Sequence, residues 1–216
     1  MDLIEALRTT GSSRDFTEQS VDDQVISSIL DDARFAPSGG NRQPWRVAVV
    51  KDLGIRRQLA GLMYTVWYEY LGESRDASRA AFAFGRSTGA QPVVEPNPLL
   101  DNIERVPVVL AVAADLNKIA LMDTNSDRPP LTAGASIYPF CWSILLAARA
   151  RGLGGVMTTF LSRAEAAAAP DLGLPHDHAL AATIFLGHPV RVHAKLSRSP
   201  RSEFATIDRF DGAPLS

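Results

Sequence analysis

The chain has 216 residues, of which 46% are apolar and 21% charged, with a net charge of −2; this is the composition of an ordinary globular domain, with enough chain to bury a core. The charge lacks the basic footprint of a nucleic-acid binder, and no apolar run of about 18 residues is present to span a membrane. A single cysteine, Cys141, excludes an intrachain disulfide and a cysteine metal cage; Met1-Asp2 opens without the pattern of a signal peptide, so the cytoplasm is the expected compartment.

Leu3, Ile4 and Leu7 mark a short amphipathic helix at the N-terminus. It runs into Thr10-Gly11-Ser12-Ser13-Arg14-Asp15-Phe16. Small hydroxyl residues beside an arginine suit a phosphate, the guanidinium giving a bidentate fork. The same residues also read as a plain helix end capped by Gly11. A second helix is predicted from Val21 to Phe35, where Val21, Val25, Ile29 and Ala33 share a face with Ile26 and Leu30. Ser20 is its expected N-cap, and Asp22 and Asp23 favour its first turn.

Ala36-Pro37-Ser38-Gly39-Gly40-Asn41-Arg42-Gln43-Pro44-Trp45 follows. Pro37 cannot continue a helix. Gly39 and Gly40 allow a flat ligand to approach the main chain, and Ser38, Asn41 and Gln43 offer donors and acceptors to a polar ring edge. A helix-to-strand connector is the competing reading. Trp45 to Lys51 is predicted as a strand from Val47, Val49 and Val50.

Leu59, Leu62, Met63, Val66, Trp67 and Tyr70 form a helical stripe, expected to end at Gly72 and to serve as core or subunit interface. Arg75 to Arg86 is predicted as a helix and Ser87 to Leu99 as a long loop of the lid or binding type. Pro107 to Ala114 reads as a strand buried on both faces, and Asp123 to Pro130 as a polar loop. Ile137 to Ala150 is an apolar helix with Pro139 in its first turn and Gly152 as its C-cap; Cys141 within it reads as a buried, inert thiol. Val156 to Phe160 is a short strand. Ser162 and Glu165 form a capping box for an alanine-rich helix to about Ala169. Leu180 to Leu186 is the last core strand, and the tail from Val190 to Ser216 is extended and polar. The pattern is α+β in one domain, residues 1–216.

Several chemistries find no foothold. His176-Asp177-His178 has metal-like spacing but lacks a third clear ligand, and a solvated loop is the better reading. Gly152-Leu153-Gly154-Gly155 follows a helix rather than a strand, so it is no dinucleotide fingerprint. No Gly-x-Ser-x-Gly elbow occurs, and Glu203 with Asp211 forms no recognisable carboxylate pair.

In their order along the chain, residues 10–16 and 36–45 resemble the nitroreductase family of FMN-dependent oxidoreductases. The similarity resumes at Ala147-Ala148-Arg149-Ala150-Arg151-Gly152-Leu153-Gly154-Gly155-Val156, at Leu186-Gly187-His188-Pro189-Val190 and at Arg198-Ser199-Pro200. It covers residues 1–60 and 132–205, while about 61–131 matches only in being a long, variable, lid-forming stretch.

The resemblance implies a nitroreductase-like α+β fold: a central mixed sheet flanked by helices, in an intertwined homodimer with FMN at the interface. It implies that Ser12, Ser13, Arg14 and Arg198 meet the flavin phosphate, and that Asn41 and Gln43 meet the pyrimidine edge. Pro37, Ser38 and Gly39 would touch the ring, in this family usually from the partner subunit. Backbone N–H groups of Met157, Thr158 or Thr159 would face flavin N5. No side chain is expected to act as nucleophile or base, because the ring carries the electrons. NADH or NADPH is the implied reductant, and a nitroaromatic, quinone or similar small electron-poor molecule the acceptor. Thr10 departs from the family pattern, standing where an arginine is common; Arg8, Arg42 or Lys195 are the expected substitutes. The alternatives are the same fold with another acceptor (dehalogenation, flavin destruction, azoline oxidation), a flavin-binding sensor without turnover, and an interaction module that has lost FMN.

Overall fold

The computed structural model describes residues 1–75, 91–192 and 195–215. Helices α1 (Leu3–Thr9) and α2 (Asp23–Ala33) precede strand β1 (Trp45–Val49) and the long helix α3 (Leu53–Arg75). Helix α4 (Pro98–Asp101), strand β2 (Val108–Asp115) and helix α5 (Tyr138–Ala150) follow. Strand β3 (Gly154–Thr158), helices α6 (Phe160–Arg163) and α7 (Glu165–Leu172) and strand β4 (His178–Gly187) complete the body.

The strands pair in the order β1-β2-β4-β3. Every pairing among the described strands is antiparallel, with Trp45 opposite Ala114, Val109 opposite Phe185 and Val156 opposite Phe185. The expected mixed sheet is therefore an antiparallel one within the chain; the parallel contact among the described residues is an isolated bridge between Ser12 and Gly155.

β2 is hydrophobic and buried from Val108 to Ala114 because both of its faces are covered. Alternation sends Leu110 and Val112 to one side, where Ile29 of α2 and Phe140 and Ile144 of α5 are fully buried. Val109 and Ala111 go to the other side and meet Leu59 and Met63 of α3 and Phe185 of β4. Full burial of each such large side chain contributes about 1.5–3 kcal/mol. Trp45 lies flat on Phe140, ring centroids 4.7 Å apart, so the start of β1 is clamped to α5.

Local signals were overridden at several points. Asp22, not Ser20, takes the N-cap position of α2. α3 passes through Gly72, where the returning chain at Gln91 leaves no room for a Cβ. The helix expected from Arg75 to Arg86 lies outside the described residues beyond its first member. Of the loop expected from Ser87, residues 91–97 are described as non-helical, and Leu99 is buried within α4.

No capping box forms at Ser162: the Glu165 carboxylate accepts the Leu180 N–H, and the Ser162 hydroxyl donates to the Ala181 carbonyl. Both bonds tie α6 and α7 to β4 instead. The tail is less polar in effect than its composition suggests. It exposes Phe204 at 73% and Phe210 completely, around a bridge from Thr206 to Pro214.

Cys141 is wholly buried in α5, and burial pushes its thiol up to about 12. At pH 8 it stays protonated in the folded protein. Ellman's reagent is expected to titrate no thiol in the native state at pH 8 and one thiol per chain in guanidinium. Rapid native labelling would contradict this burial.

Candidate functional site

Residues 10–17 form a strap laid along the outer edge of β3. The Ser13 N–H donates to the Gly155 carbonyl (2.9 Å), Thr17 N–H to the His188 carbonyl (2.9 Å), and Val190 N–H to the Asp15 carbonyl (3.1 Å). Phe16 bridges Pro189. This contact needs glycine: a Cβ on Gly154 would stand 2.6 Å from the Ser13 hydroxyl and 2.9 Å from Pro189 Cβ. Ser13 is therefore buried behind the strap, while Ser12 and Arg14 lie on its exposed side. Thr10 is buried, and its hydroxyl donates to the Ala6 carbonyl of α1 (2.7 Å).

The Gly155 carbonyl faces the strap, so strand alternation turns the N–H groups of Met157 and Thr159 to the same edge. Thr158, named with them as an N5 contact, is turned toward β4. Its hydroxyl is buried without a partner opposite Thr183, whose hydroxyl is likewise unpaired.

The segment from Pro37 to Gln43 is built by its own polar groups. Ser38 Oγ accepts the Gln43 N–H (3.0 Å), Gln43 Nε2 donates to Asn41 Oδ1 (3.0 Å), and the Gly39 N–H reaches Ser136 Oγ (3.0 Å). Gly40, Asn41 and Gln43 have φ of +60°, +53° and +48°. Two non-glycine residues in the left-handed region within one short loop hold backbone strain of the kind that clusters at ligand sites. Sequence reasoning gave the unusual backbone to Gly39 and Gly40; Gly39 is not in that region.

The two halves of the expected site do not meet within one chain. β1 and β3 are the opposite edges of the sheet. Their separation is three strand spacings, or about 14 Å. The loop ending at Pro44 and the turn after Thr158 share one end of the sheet, where the Asp115 N–H bonds to the Pro44 carbonyl (2.7 Å). An apolar cleft of about 870 Å³ opens at this end among Leu116, Ile119, Leu131, Ala135, Tyr138 and Leu180. Its wall is pinned by Asp123, which accepts from the Leu131 N–H (2.8 Å), the Thr132 hydroxyl and Arg128. These bonds hold its carboxyl well below the usual carboxylate range, the Thr132 hydroxyl contributing most.

Arg198 is exposed at the start of the tail, its guanidinium donating to the Ser197 carbonyl. Of the three substitutes for a cation at position 10, Arg8 and Lys195 are exposed, and Arg42 belongs to the loop at the β1 edge. The structure brings a different arginine there. Arg149 of α5 donates to Thr9 Oγ1 (3.3 Å) and lines a small cleft with Thr10, Gly11, Ser13 and Gly154. A signal for it existed: Arg149 continues the buried face of α5 through Cys141 and Leu145 at four-residue spacing.

A sequence model of the Nitroreductase family matches residues 7–188. The chain is 29% identical over 180 residues to a 5,6-dimethylbenzimidazole synthase of Rhodospirillum rubrum, covering 83% of this chain and 78% of that one. Its fold is similar to that of the NADPH:FMN oxidoreductase of Vibrio harveyi complexed with NAD+ (TM-score 0.70, 19% identity, 96% of this chain and 77% of that one). It is also similar to that of an oxidized iodotyrosine deiodinase bound to FMN and 3-iodo-L-tyrosine (TM-score 0.67, 19% identity, 97% and 99%). The matched region runs unbroken from α1 through the strap to the end of β4, and on that basis the chain belongs to the nitroreductase family.

Proposed function

We propose that this protein is an FMN-dependent oxidoreductase that takes electrons from NADH or NADPH and passes them to a small electron-poor acceptor, a nitroaromatic or a quinone, in a ping-pong cycle. The observation that carries this reading is the single edge of β3. Along it stand, in sequence, the hydroxyl and guanidinium groups of Ser12 and Arg14 and then the outward N–H groups of Met157 and Thr159. An anionic tail and an electron-accepting ring require those two kinds of group in that order.

When bound, FMN supplies hydride chemistry at its ring, so no side chain here is assigned as nucleophile or base. Ser12, Arg14 and Arg198 hold the phosphate, and Ser13 holds the strap to β3. The outward N–H groups of Met157 and Thr159 orient the ring and favour its acceptance of hydride. Pro37, Ser38, Gly39, Asn41 and Gln43 come to the ring from a second copy of the chain, because their own sheet edge is too far away. Such a homodimer also covers apolar surface. Leu3, Ile4 and Leu7 of α1 are 45–66% exposed, and Tyr138 and Trp142 of α5 are 40% and 37% exposed. Among the described residues no helix is long and apolar enough to cross a membrane.

The test is the visible spectrum of the purified protein supplied with FMN, before and after anaerobic NADPH and NADH. Flavin bands that bleach on addition and return with a quinone support the assignment and give the nicotinamide preference. Bands that persist with both nucleotides favour a flavin-binding protein without turnover, and absent bands overturn the reading. The resemblance to the Rhodospirillum rubrum enzyme favours a second reading, in which reduced flavin is destroyed. Air admitted to the reduced sample separates them: FMN reappears in the first case, and a dimethylbenzimidazole accumulates in the second.

A further inference from the structure

The cleft at the shared end of the sheet holds about 870 Å³, within the size of small-molecule sites. Among the described residues no aspartate, glutamate, lysine, arginine or histidine lines it; Leu116, Ile119, Leu121, Leu131 and Leu180 do, with the Tyr138 ring. Leu116, Leu121, Leu131 and Tyr138 are 40–74% exposed, so large apolar side chains gather at one spot outside both cores. The wall supports itself. Asp123 holds Leu131, Thr132 and Arg128, and Thr132 Oγ1 accepts the Met122 N–H (3.1 Å). Gly134 seats the tyrosine, because a Cβ there would meet its ring at 2.6 Å. The cleft also continues from the ring-facing edge. Thr158, the last residue of β3, pairs with Thr183, and Leu180 lies three residues from that partner, beyond the end of β3. Three residues of strand span about 10 Å.

A lining without ionic groups cannot repay the hydration that a charged ligand loses, whereas every methylene it covers is favourable. We propose that this cleft receives the apolar substituent of the acceptor, which makes the acceptor an uncharged quinone carrying an aliphatic chain and not a carboxylate-bearing ring. The inference rests on the FMN reading above and names the acceptor's class. The overall reaction turns NAD(P)H, one proton and the quinone into NAD(P)+ and the hydroquinone; the chain takes no part in it and serves to hold the ring.

The experiment is calorimetric binding of redox-inert 4-alkylphenols, from 4-ethylphenol to 4-hexylphenol, with 6-(4-hydroxyphenyl)hexanoate as the charged control. Each added methylene is expected to strengthen binding about threefold, and the terminal carboxylate to undo the gain. Leu131→Lys places an ammonium in the wall at a position 74% exposed, where the fold tolerates it. It should flatten the neutral series and favour the hexanoate, a reversal that a merely structural role would not produce; Leu116→Lys is measured the same way. The kcat/KM values of benzoquinones bearing the same chains should follow the phenol affinities. A flat neutral series in the unaltered protein, or an equal gain with the carboxylate present, overturns the assignment. So does a flat series together with a shift of Leu131→Lys from dimer to monomer in sedimentation, which gives the cleft to a second copy of the chain. Intact phenol binding without reduction of any quinone by NADH or NADPH overturns the FMN reading instead, and with it the acceptor's role.

Discussion

Gly154→Val is expected to cost the protein its hold on FMN while leaving most of the fold in place. Even one carbon at Gly154 would approach Ser13 Cβ and Pro189 Cβ to 2.9 Å, and both are anchored close to main chain. The strap must lift from β3, because the strand behind it is locked to β4 from Gly154 to Thr158. Overpacking of this kind costs about 1–3 kcal/mol of stability. The larger effect falls on the ligand. Arg14 and Ser12 travel with the strap, and losing even one charge-assisted phosphate contact weakens binding by about 1.5–3 kcal/mol. Thermal unfolding and FMN titration separate the two effects. Gly61→Ala is the control: Gly61 lies on an exposed helical position with nothing within 4 Å of an added Cβ. It should raise stability by up to about 1 kcal/mol and leave FMN binding alone. A Gly154→Val protein that binds FMN normally would remove the strap from the site.

The second large effect tests the division of the site between two chains. Arg14→Ala and Asn41→Ala are each expected to bind FMN poorly as homodimers. Mixed by co-refolding at equal amounts, they should regain about a quarter of the binding sites. Half of the dimers are then mixed, and each mixed dimer holds one site in which both residues are intact. The measurement is flavin bound at a concentration that saturates the unaltered protein but not the variants. Recovery is expected because Arg14 lies on the β3 edge and Asn41 on the β1 edge. No recovery in a preparation shown to contain mixed dimers would place both residues in one chain's site and overturn the composite arrangement.

Periodicity carried the reading of α2, β1, β2, β4 and α5, since each buries a regular face against a neighbour close in the layered body. The reading failed where a distant segment decided the outcome. Glu165 resembles a capping residue until β4 offers it the Leu180 N–H. Gly72 resembles a stop until the chain at Gln91 explains why a helix needs glycine there. The strap and the Pro37–Gln43 loop were legible as polar, glycine-bearing segments. Their placement on opposite edges was not, because strand order is invisible to a local pattern. Asn41 and Gln43 were picked for their side chains, whereas the structure adds backbone strain. Arg149 was quoted only as part of a resemblance, although its spacing from Leu145 placed a cation on a buried face.

The strap is fastened to β3 and to the end of β4 by main-chain hydrogen bonds: Ser13 to Gly155, Thr17 to His188 and Val190 to Asp15. Main-chain bonds do not read side chains. A change of side chain at the exposed residue 14 therefore leaves these bonds in place, provided Gly154 stays small. A protein built this way can change the side chains it presents there one at a time while the outer edge of β3 keeps its shape. Alignments that weigh residue identity along this ribbon will understate how little its architecture has moved.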